Sequence, residues 1–200
     1  MNNIFQLFID NILQTSLLEF FAVVFGLLSV WYSRKVNILV YPTGIVSVLI
    51  YVYICFKAGL YADMGINGVY FVMSVFGWYN WTRKIQDETL VKITFLSLKG
   101  HLFAVGVVVV SFFMLSYVLT HFTDSTVPYI DSFTTAVFIV GMWLMAVKKV
   151  ENWLYWIVGD IICMPMFFYK GLAFTSFQYF VFLILAVMGF ISWRKVIKNA

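Results

Sequence analysis

Charged residues are scarce in this sequence of 200 residues, since Asp, Glu, Lys and Arg together make up only 11% of it. A soluble domain carries about 25% charged residues to cover its surface. Hydrophobic residues reach 63%, and the mean hydropathy is +0.95. The shortage of charge excludes most classes of soluble enzyme and predicts an integral membrane protein.

Several chemical signatures are also missing. The two cysteines, Cys55 and Cys163, lie in apolar segments, where thiols usually pack as small hydrophobic groups, and no metal-ligand spacing accompanies them. The sequence has no phosphate-binding glycine loop and no HExxH motif. Its basic residues occur mostly in pairs rather than in a continuous patch, which argues against nucleic acid as a partner. We therefore expect neither an enzyme nor a bound metal or cofactor.

Long apolar stretches fill the space between the clusters of charge. A helix needs about 20 predominantly apolar residues to cross a bilayer. Seven stretches meet this requirement approximately, and they predict an all-α protein with seven transmembrane helices: 16–33, 37–56, 62–82, 101–120, 131–147, 152–169 and 172–193. No Lys or Arg precedes Arg34, so the N-terminal residues lack the positive region of a cleavable signal peptide and we expect the first span to direct insertion.

The basic residues predict the orientation of these spans. If the spans alternate, one side of the membrane carries only Lys57 and Lys170. The other side carries eleven: Arg34, Lys35, Arg83, Lys84, Lys92, Lys99, Lys148, Lys149, Arg194, Lys195 and Lys198. The positive-inside rule places the richer side in the cytoplasm, the N-terminus outside and the C-terminus inside.

The third and seventh spans share landmarks. The same 18-residue interval separates Gly59 from Gly77 and Gly171 from Gly189, and each second glycine precedes a tryptophan by four residues, Trp81 or Trp193. Chance similarity between two apolar helices is the alternative, but the matches need no gap. The pattern predicts two parallel three-helix repeats, 16–82 and 131–193, joined by a linker helix at 101–120.

The sixth span presents an amide, an indole and a carboxyl on one helical face. Asn152, Trp156 and Asp160 recur every four residues, with Trp153 beside them. A carboxylate costs about 2.5–3.5 kcal/mol at the bilayer centre on insertion scales, so Asp160 is expected to face the protein interior. It either contacts a substrate or holds a neighbouring helix by hydrogen bonds. Trp153 is either a substrate contact or part of an interfacial aromatic belt.

The third span carries a second polar and aromatic stripe. Its members recur every three or four residues: Asp63, Asn67, Tyr70, Ser74, Trp78 and Trp81. Two stripes of amides and aromatic rings suit a heteroaromatic ligand that stacks on an indole, and Gln178 in the seventh span is a weaker candidate. The alternative is a membrane scaffold or signalling protein in which these groups only join helices.

Each half also carries a proline in its second span, Pro42 or Pro165. Proline removes a backbone hydrogen bond inside a helix, so both residues are expected to loosen their helices. Such hinges suit a transporter that opens alternately to the two sides of the membrane.

The motifs FGWYNW at 76–81 and ENWLYW at 151–156, together with LYADM at 60–64, resemble the PnuC family of bacterial vitamin transporters. The resemblance covers nearly the whole chain. It implies a duplicated three-plus-one-plus-three fold like that of full-length SWEET transporters, located in the bacterial inner membrane and assembled as a homo-oligomer such as a trimer. It also implies facilitated diffusion of nicotinamide riboside, with thiamine as the alternative, and retention of the substrate through phosphorylation by a cytoplasmic kinase.

The same resemblance implies roles for individual residues. Trp156 would stack on the pyridinium ring of the substrate, and Asn152 would donate or accept a hydrogen bond. Asn67 stands where nicotinamide riboside transporters of the family generally have a longer Gln, and Ser74 stands where some members have Asn. A shorter amide at Asn67 leaves room for a different ligand, and Asp160 favours a cationic one.

Overall fold

The computed structural model describes residues 16–85, 88–89 and 91–199. Within them the chain forms seven α-helices, and the seven predicted helices are confirmed: α1 Leu17–Arg34, α2 Val40–Lys57, α3 Tyr61–Thr82, α4 Leu98–Phe122, α5 Pro128–Ala146, α6 Asn152–Tyr169 and α7 Ala173–Lys198. Two short antiparallel strands, β1 Lys84–Ile85 and β2 Glu88–Thr89, follow α3.

Five of the seven helices are long and apolar enough to cross a membrane: α1, α2, α4, α5 and α7. The two that fall outside this group, α3 and α6, are those on which the sequence places the polar stripes. Asp63, Asn67 and Asn80 lower the hydropathy of α3, and Asn152 and Asp160 lower that of α6. The chain is a multi-pass membrane protein whose least apolar helices carry its candidate functional groups.

Six helices form a closed ring. The order around it is α1, α2, α3, α5, α6 and α7, and α7 returns to pack against α1. Helix α4 lies outside this ring, where it packs mainly on α5. Most of the α4 surface consequently remains exposed. By contrast, 61% of the residues in the most apolar stretch of α5 are buried.

Four aromatic side chains meet in the interior of the ring of helices. Tyr41 of α2, Trp81 of α3, Trp193 of α7 and Trp153 of α6 follow one another with centroid distances of 5.2, 6.0 and 5.6 Å. All four are at most 5% exposed. We refer to them as the aromatic quartet. It forms a buried layer of side chains between the helices at the end of the helix ring that carries the basic residue pairs.

Two indole groups of the quartet form reciprocal hydrogen bonds. Trp81 Nε1 donates to the carbonyl of Met145 at 3.2 Å, and Trp193 Nε1 donates to the carbonyl of Ser33 at 3.0 Å. Ser33 and Met145 are 112 residues apart, as are Trp81 and Trp193. Trp81 therefore anchors the end of α3 to the end of α5, and Trp193 anchors the end of α7 to the end of α1.

The turns between helices repeat with the same interval. Gly59 and Gly171, which end the turns before α3 and α7, have φ angles of +73° and +77°. Residues other than glycine avoid this left-handed region because Cβ crowds the carbonyl oxygen. Val36 and Lys148 also share a positive φ, at 55° and 52°. Both pairs of positions are 112 residues apart, so the backbone has the same local conformation at this interval even where the residues differ, as at Val36 and Lys148.

The segment before α4 is bound to the turn between α5 and α6. Thr94 pairs with Lys149 as a parallel bridge, and Glu151 accepts a hydrogen bond from the Leu96 N–H through Oε2 at 2.9 Å. Lys149 Nζ donates to Thr94 Oγ1 at 2.7 Å. We refer to residues 94–97 as the strap. Beside it, Lys148 lies over the Trp81 ring at 4.6 Å, and burial lowers the pKa of its amine.

The two prolines do not have equivalent positions. Pro165 lies inside α6, as predicted. Helix α2 begins at Val40, so Pro42 lies in its first turn. Backbone N–H groups of a first turn have no partner within the helix, and proline therefore costs no hydrogen bond there. The prediction that Pro42 loosens its helix is wrong for this reason.

Candidate functional site

A cavity of about 860 Å³ opens at the end of the ring opposite the basic pairs. Its walls come from the start of α3, the end of α4, the following loop, α5, the end of α6 and α7. Phe138, one of its deepest lining residues, follows the first residue of α5 by ten positions, which corresponds to about 15 Å along a helix. The cavity therefore reaches about halfway through a hydrocarbon layer of about 30 Å.

Nearly parallel aromatic rings continue from the cavity wall into the core. Phe167 stacks with Tyr179 at 5.0 Å, Tyr179 with Phe138 at 6.2 Å, and Phe138 with Trp156 at 5.2 Å, with interplanar angles of 12°, 16° and 26°. The first three rings line the cavity, whereas Trp156 lies behind Phe138. We refer to these four residues as the ring series. A flat heteroaromatic molecule in the cavity would meet ring faces of matching orientation.

The mouth of the cavity is rich in carboxylates. Asp63, Asp124 and Asp131 line it together with one amine, Lys170. Lys170 Nζ contacts both carboxylate oxygens of Asp131 at 2.9 and 3.0 Å, and Ser125 Oγ donates to the same carboxylate at 2.6 Å. This pair neutralises one carboxylate, so the lining keeps a net negative formal charge. Such a mouth attracts a cationic solute.

Three predicted site residues lie at or next to the cavity. Tyr70 lines it, and Trp156 packs on the same buried cluster, which consists of Phe138, Cys163 and Met166. Asp160 is 2% exposed and precedes Cys163, a cavity-lining residue, by three positions on α6. It faces the interior, as the cost of burying a carboxylate requires.

Two other predicted residues lie deeper, against the aromatic quartet. Asn152 is fully buried and its Nδ2 donates to the carbonyl of Lys149 at 2.6 Å, while its Oδ1 has no partner among the described residues. Trp153 belongs to the quartet and its buried Nε1 likewise has none. The exposure of Trp153 is 1%, so it does not lie in an interfacial aromatic belt.

The remaining predicted residues are dispersed. Asn67 donates from Nδ2 to the carbonyl of Asp63 in its own helix at 2.9 Å. Ser74 is buried, whereas Trp78, one turn later, is 40% exposed. Gln178 is half-buried and lies next to Tyr51 of α2. The stripe on α3 therefore divides between the interior and the outer surface.

Sequence reasoning missed Phe138, Phe167, Asp131 and Lys170 as site residues. The two phenylalanines are among 22 in the chain, and no spacing distinguishes them. The ion pair between Asp131 and Lys170 could have been suspected from the sequence, because alternation of the spans places both residues on the same side of the membrane. Among the described residues, no group of three or more His, Cys, Asp or Glu side chains could hold a metal ion.

Comparisons with known proteins identify the family. The family model of the nicotinamide mononucleotide transporter matches residues 16–195. The chain is 28% identical to the nicotinamide riboside transporter PnuC of Escherichia coli strain K12, over 89% of this chain and 85% of that protein. It is 26% identical to the riboflavin/roseoflavin transporter RibM of Streptomyces davaonensis, over 85% of this chain and 81% of that protein.

A solved structure extends the similarity to the fold. The crystal structure of the vitamin B3 transporter PnuC superposes with a TM-score of 0.73 and 28% sequence identity. The match covers 98% of this chain and 90% of the other. The family model and this structure agree with the membrane helices described above. The chain therefore belongs to the nicotinamide mononucleotide transporter family and is a membrane transporter of vitamins.

Proposed function

We propose that the protein is a facilitator for nicotinamide riboside, a vitamin that consists of a pyridinium ring and a ribose. The observation that carries this proposal is the cavity with its ring series and its acidic mouth. Small-molecule sites usually have volumes of about 300–1,000 Å³, and the cavity lies within that range. Parallel ring faces suit the flat pyridinium, and the excess of carboxylates suits its positive charge.

Trp156, Asn152 and Asp160 are the proposed contacts below the cavity. The free Oδ1 of Asn152 is a buried acceptor, and such groups normally have a hydrogen-bond partner. A substrate that moves past Phe138 could supply one. Trp153, Asn67, Tyr70, Ser74, Trp78 and Gln178 complete the proposed set; Tyr70 lines the cavity, and Trp78 lies farthest from the interior.

Thiamine is the second candidate, because its thiazolium ring is also a cation. Riboflavin, which the printed name of RibM gives as a substrate of that relative, has a larger and uncharged ring system. The acidic lining therefore favours the first two vitamins over the third. Transport that is driven by the substrate gradient agrees with the scarcity of charge in the helices.

The proposed architecture consists of two parallel three-helix repeats joined by α4, as in SWEET-like transporters. The reciprocal bonds of Trp81 and Trp193 support it, since both the donors and the acceptors are 112 residues apart. The positive φ angles of Gly59 and Gly171 follow the same interval. The ring of six helices, with α4 outside, also suits two repeats and a linker.

In the proposed topology all seven helices cross the inner membrane of a bacterium. The N-terminus is outside and the C-terminus is cytoplasmic. The turns before α2, α4 and α6 then lie on the cytoplasmic side, with the basic pairs Arg34–Lys35 and Lys148–Lys149. This distribution follows the positive-inside rule and makes the cavity face outward.

Assembly and retention of the substrate are also proposed from the family resemblance. A homo-oligomer, such as a trimer, would cover part of the exposed apolar surface of α4, which includes Leu98, Leu102, Val110 and Met114. A cytoplasmic kinase would phosphorylate the vitamin, and the charged product could not return. Net uptake would then require no ion gradient.

A thermal-shift titration of the detergent-purified protein tests the substrate. Binding to the folded state adds RT ln(1 + [L]/Kd) to its stability, or about 2.7 kcal/mol at one hundred times Kd. We expect nicotinamide riboside to stabilise the protein more than thiamine does, and riboflavin to have no effect. Trp156→Ala should abolish the shift.

Trp31→Ala is the matched control, because it removes the same side chain from a position on α1 that is 37% exposed and lies outside the proposed contacts. It should leave the shift unchanged. Equal loss in the two variants would contradict the placement of the site at Trp156. A shift with thiamine alone would transfer the proposal to the second candidate, and stabilisation by riboflavin alone would contradict both.

A further inference from the structure

Phe138 separates the cavity from the residues that are proposed to bind the substrate. Its ring lines the cavity and stacks with two nearly parallel rings, Tyr179 at a centroid distance of 6.2 Å and Trp156 at 5.2 Å. Trp156 does not line the cavity, and Asn152 lies one helical turn beyond it. Phe138 therefore covers the Trp156 ring on the side of the cavity.

The backbone next to Phe138 is shaped to hold its ring. Gly159 of α6 lies directly against Phe138, and a Cβ atom at this position would overlap Cε1 and Cζ of the phenylalanine. Phe138 is 7% exposed, and it packs with Cys163 and Met166. The ring therefore fits closely against Gly159 of α6 and stacks with the nearly parallel rings of Tyr179 and Trp156.

Phe138 also occupies the place that a planar ligand would take. A ring stacked on Trp156 from the cavity side would coincide with the present phenyl ring, because aromatic rings prefer centroid distances of about 4.5–7 Å. The next ring, Tyr179, is 6.2 Å beyond Phe138 and nearly parallel to it. Two rings that both contact a third ring stacked between them lie about 7 Å apart. Tyr179 and Trp156 therefore limit the thickness and extent of a substrate ring that enters between them.

We propose that Phe138 is a specificity-determining residue of the transporter, a ring that covers Trp156 and yields its place to the planar ring of the substrate. This inference rests on the proposed role of Trp156 in binding. The size of the space that Phe138 vacates limits the substrate to a single six-membered or five-membered aromatic ring. A system of three fused rings is larger than this space and does not fit between Tyr179 and Trp156.

Uptake into proteoliposomes tests the effect on specificity. The assay compares nicotinamide riboside with riboflavin for the wild type, Phe138→Leu, Phe138→Ala and Phe133→Ala. We expect Phe138→Ala to raise the ratio of riboflavin to nicotinamide riboside uptake at least tenfold, and Phe138→Leu to give an intermediate ratio. Phe133→Ala removes a ring from the same helix at a position that is 38% exposed and outside the cavity lining, and it should change the ratio less than twofold.

Chemical accessibility tests the cover without any transport. In a background with Cys55→Ala and Cys163→Ala, Trp156→Cys is exposed to a cationic methanethiosulfonate reagent. We expect its modification to be at least ten times faster when Phe138→Ala is added, and unchanged when Phe167→Ala is added.

Equal modification rates with and without Phe138 would overturn the inference, as would an unchanged uptake ratio in a folded Phe138→Ala variant. A wild type that transports none of the vitamins would contradict the proposed function instead. The accessibility result still decides the role of Phe138 in that case. The two failures are therefore distinguishable.

Discussion

Replacement of single tryptophans by phenylalanine measures what the reciprocal indole bonds contribute to stability. Trp81→Phe and Trp193→Phe remove an N–H that donates to the carbonyl of Met145 or Ser33. Trp153→Phe makes the same change in size within the same aromatic quartet, but its Nε1 has no partner among the described residues. Trp153 is therefore an internal control for the loss of ring volume.

The magnitude follows from the partners that remain. The carbonyls of Ser33 and Met145 also accept the N–H of Val36 and Lys148, each at 3.0 Å, so neither carbonyl is left without a partner. The loss for each bond is then at the lower end of the usual range, about 1 kcal/mol. Trp153→Phe instead removes a buried donor that has no acceptor among the described residues, which should raise the free energy of unfolding by about 1 kcal/mol. Trp193→Phe should thus be less stable than Trp153→Phe by about 2 kcal/mol.

Thermal unfolding in detergent is a suitable assay. For a domain of this size, about 2 kcal/mol corresponds to a difference of about 4–8 °C in Tm. Trp81→Phe is expected to resemble Trp193→Phe, because each indole donates to a carbonyl that keeps a second donor. Equal Tm values for Trp153→Phe and Trp193→Phe would refute the reasoning, since the loss of ring volume would then account for the whole effect.

Two further substitutions test local features of the fold. Gly59→Ala should destabilise the protein by about 1–2 kcal/mol, because the φ of Gly59 is +73°. Gly65→Ala, in the middle of α3, should stabilise it by about 0.5–1 kcal/mol, because alanine favours a helix more than glycine does. Neither added methyl group meets an atom within 4 Å, so opposite shifts in Tm are the expected result. Glu151→Ala should lower the free energy of unfolding by about 1–2 kcal/mol, because the strap loses the acceptor for the backbone N–H of Leu96. Glu151→Gln keeps an acceptor oxygen and should lower it by less than half as much. Equal losses in the two variants would show that this hydrogen bond is unimportant.

The helices were predictable because membrane insertion depends on the sum of apolar residues over a long window. The predicted linker at 101–120 corresponds to Leu98–Phe122, and the span at 172–193 to Ala173–Lys198. The differences lie at polar ends, where hydropathy drops but backbone hydrogen bonds continue the helix. Trp81 and Trp193 were recognisable as equivalent landmarks, but their acceptors were not, because these depend on how the two halves pack together.

The site was less predictable than the helices. Spacing placed Ser74 and Trp78 on one stripe of α3, yet the structure buries the first and exposes 40% of the second. Four residues turn a helix by slightly more than one full turn, so a stripe drifts around the surface. Phe138 carried no sequence signal, because its position depends on space left by Gly159 of another helix. Spacing predicted Trp156 as a site residue, but it gave no signal for the ring that stacks on it.

The buried layer formed by the aromatic quartet determines where the membrane voltage falls across the protein. Water that fills the cavity down to Phe138 carries the potential of one side of the membrane about 15 Å into the protein. Most of the voltage then falls across the short layer that contains Tyr41, Trp81, Trp153 and Trp193. A displacement of one elementary charge through the full voltage is worth about 2.3 kcal/mol per 100 mV. A charged solute would therefore experience the membrane potential mainly in the last step of its passage, and the potential would accelerate or hinder that step rather than entry into the cavity.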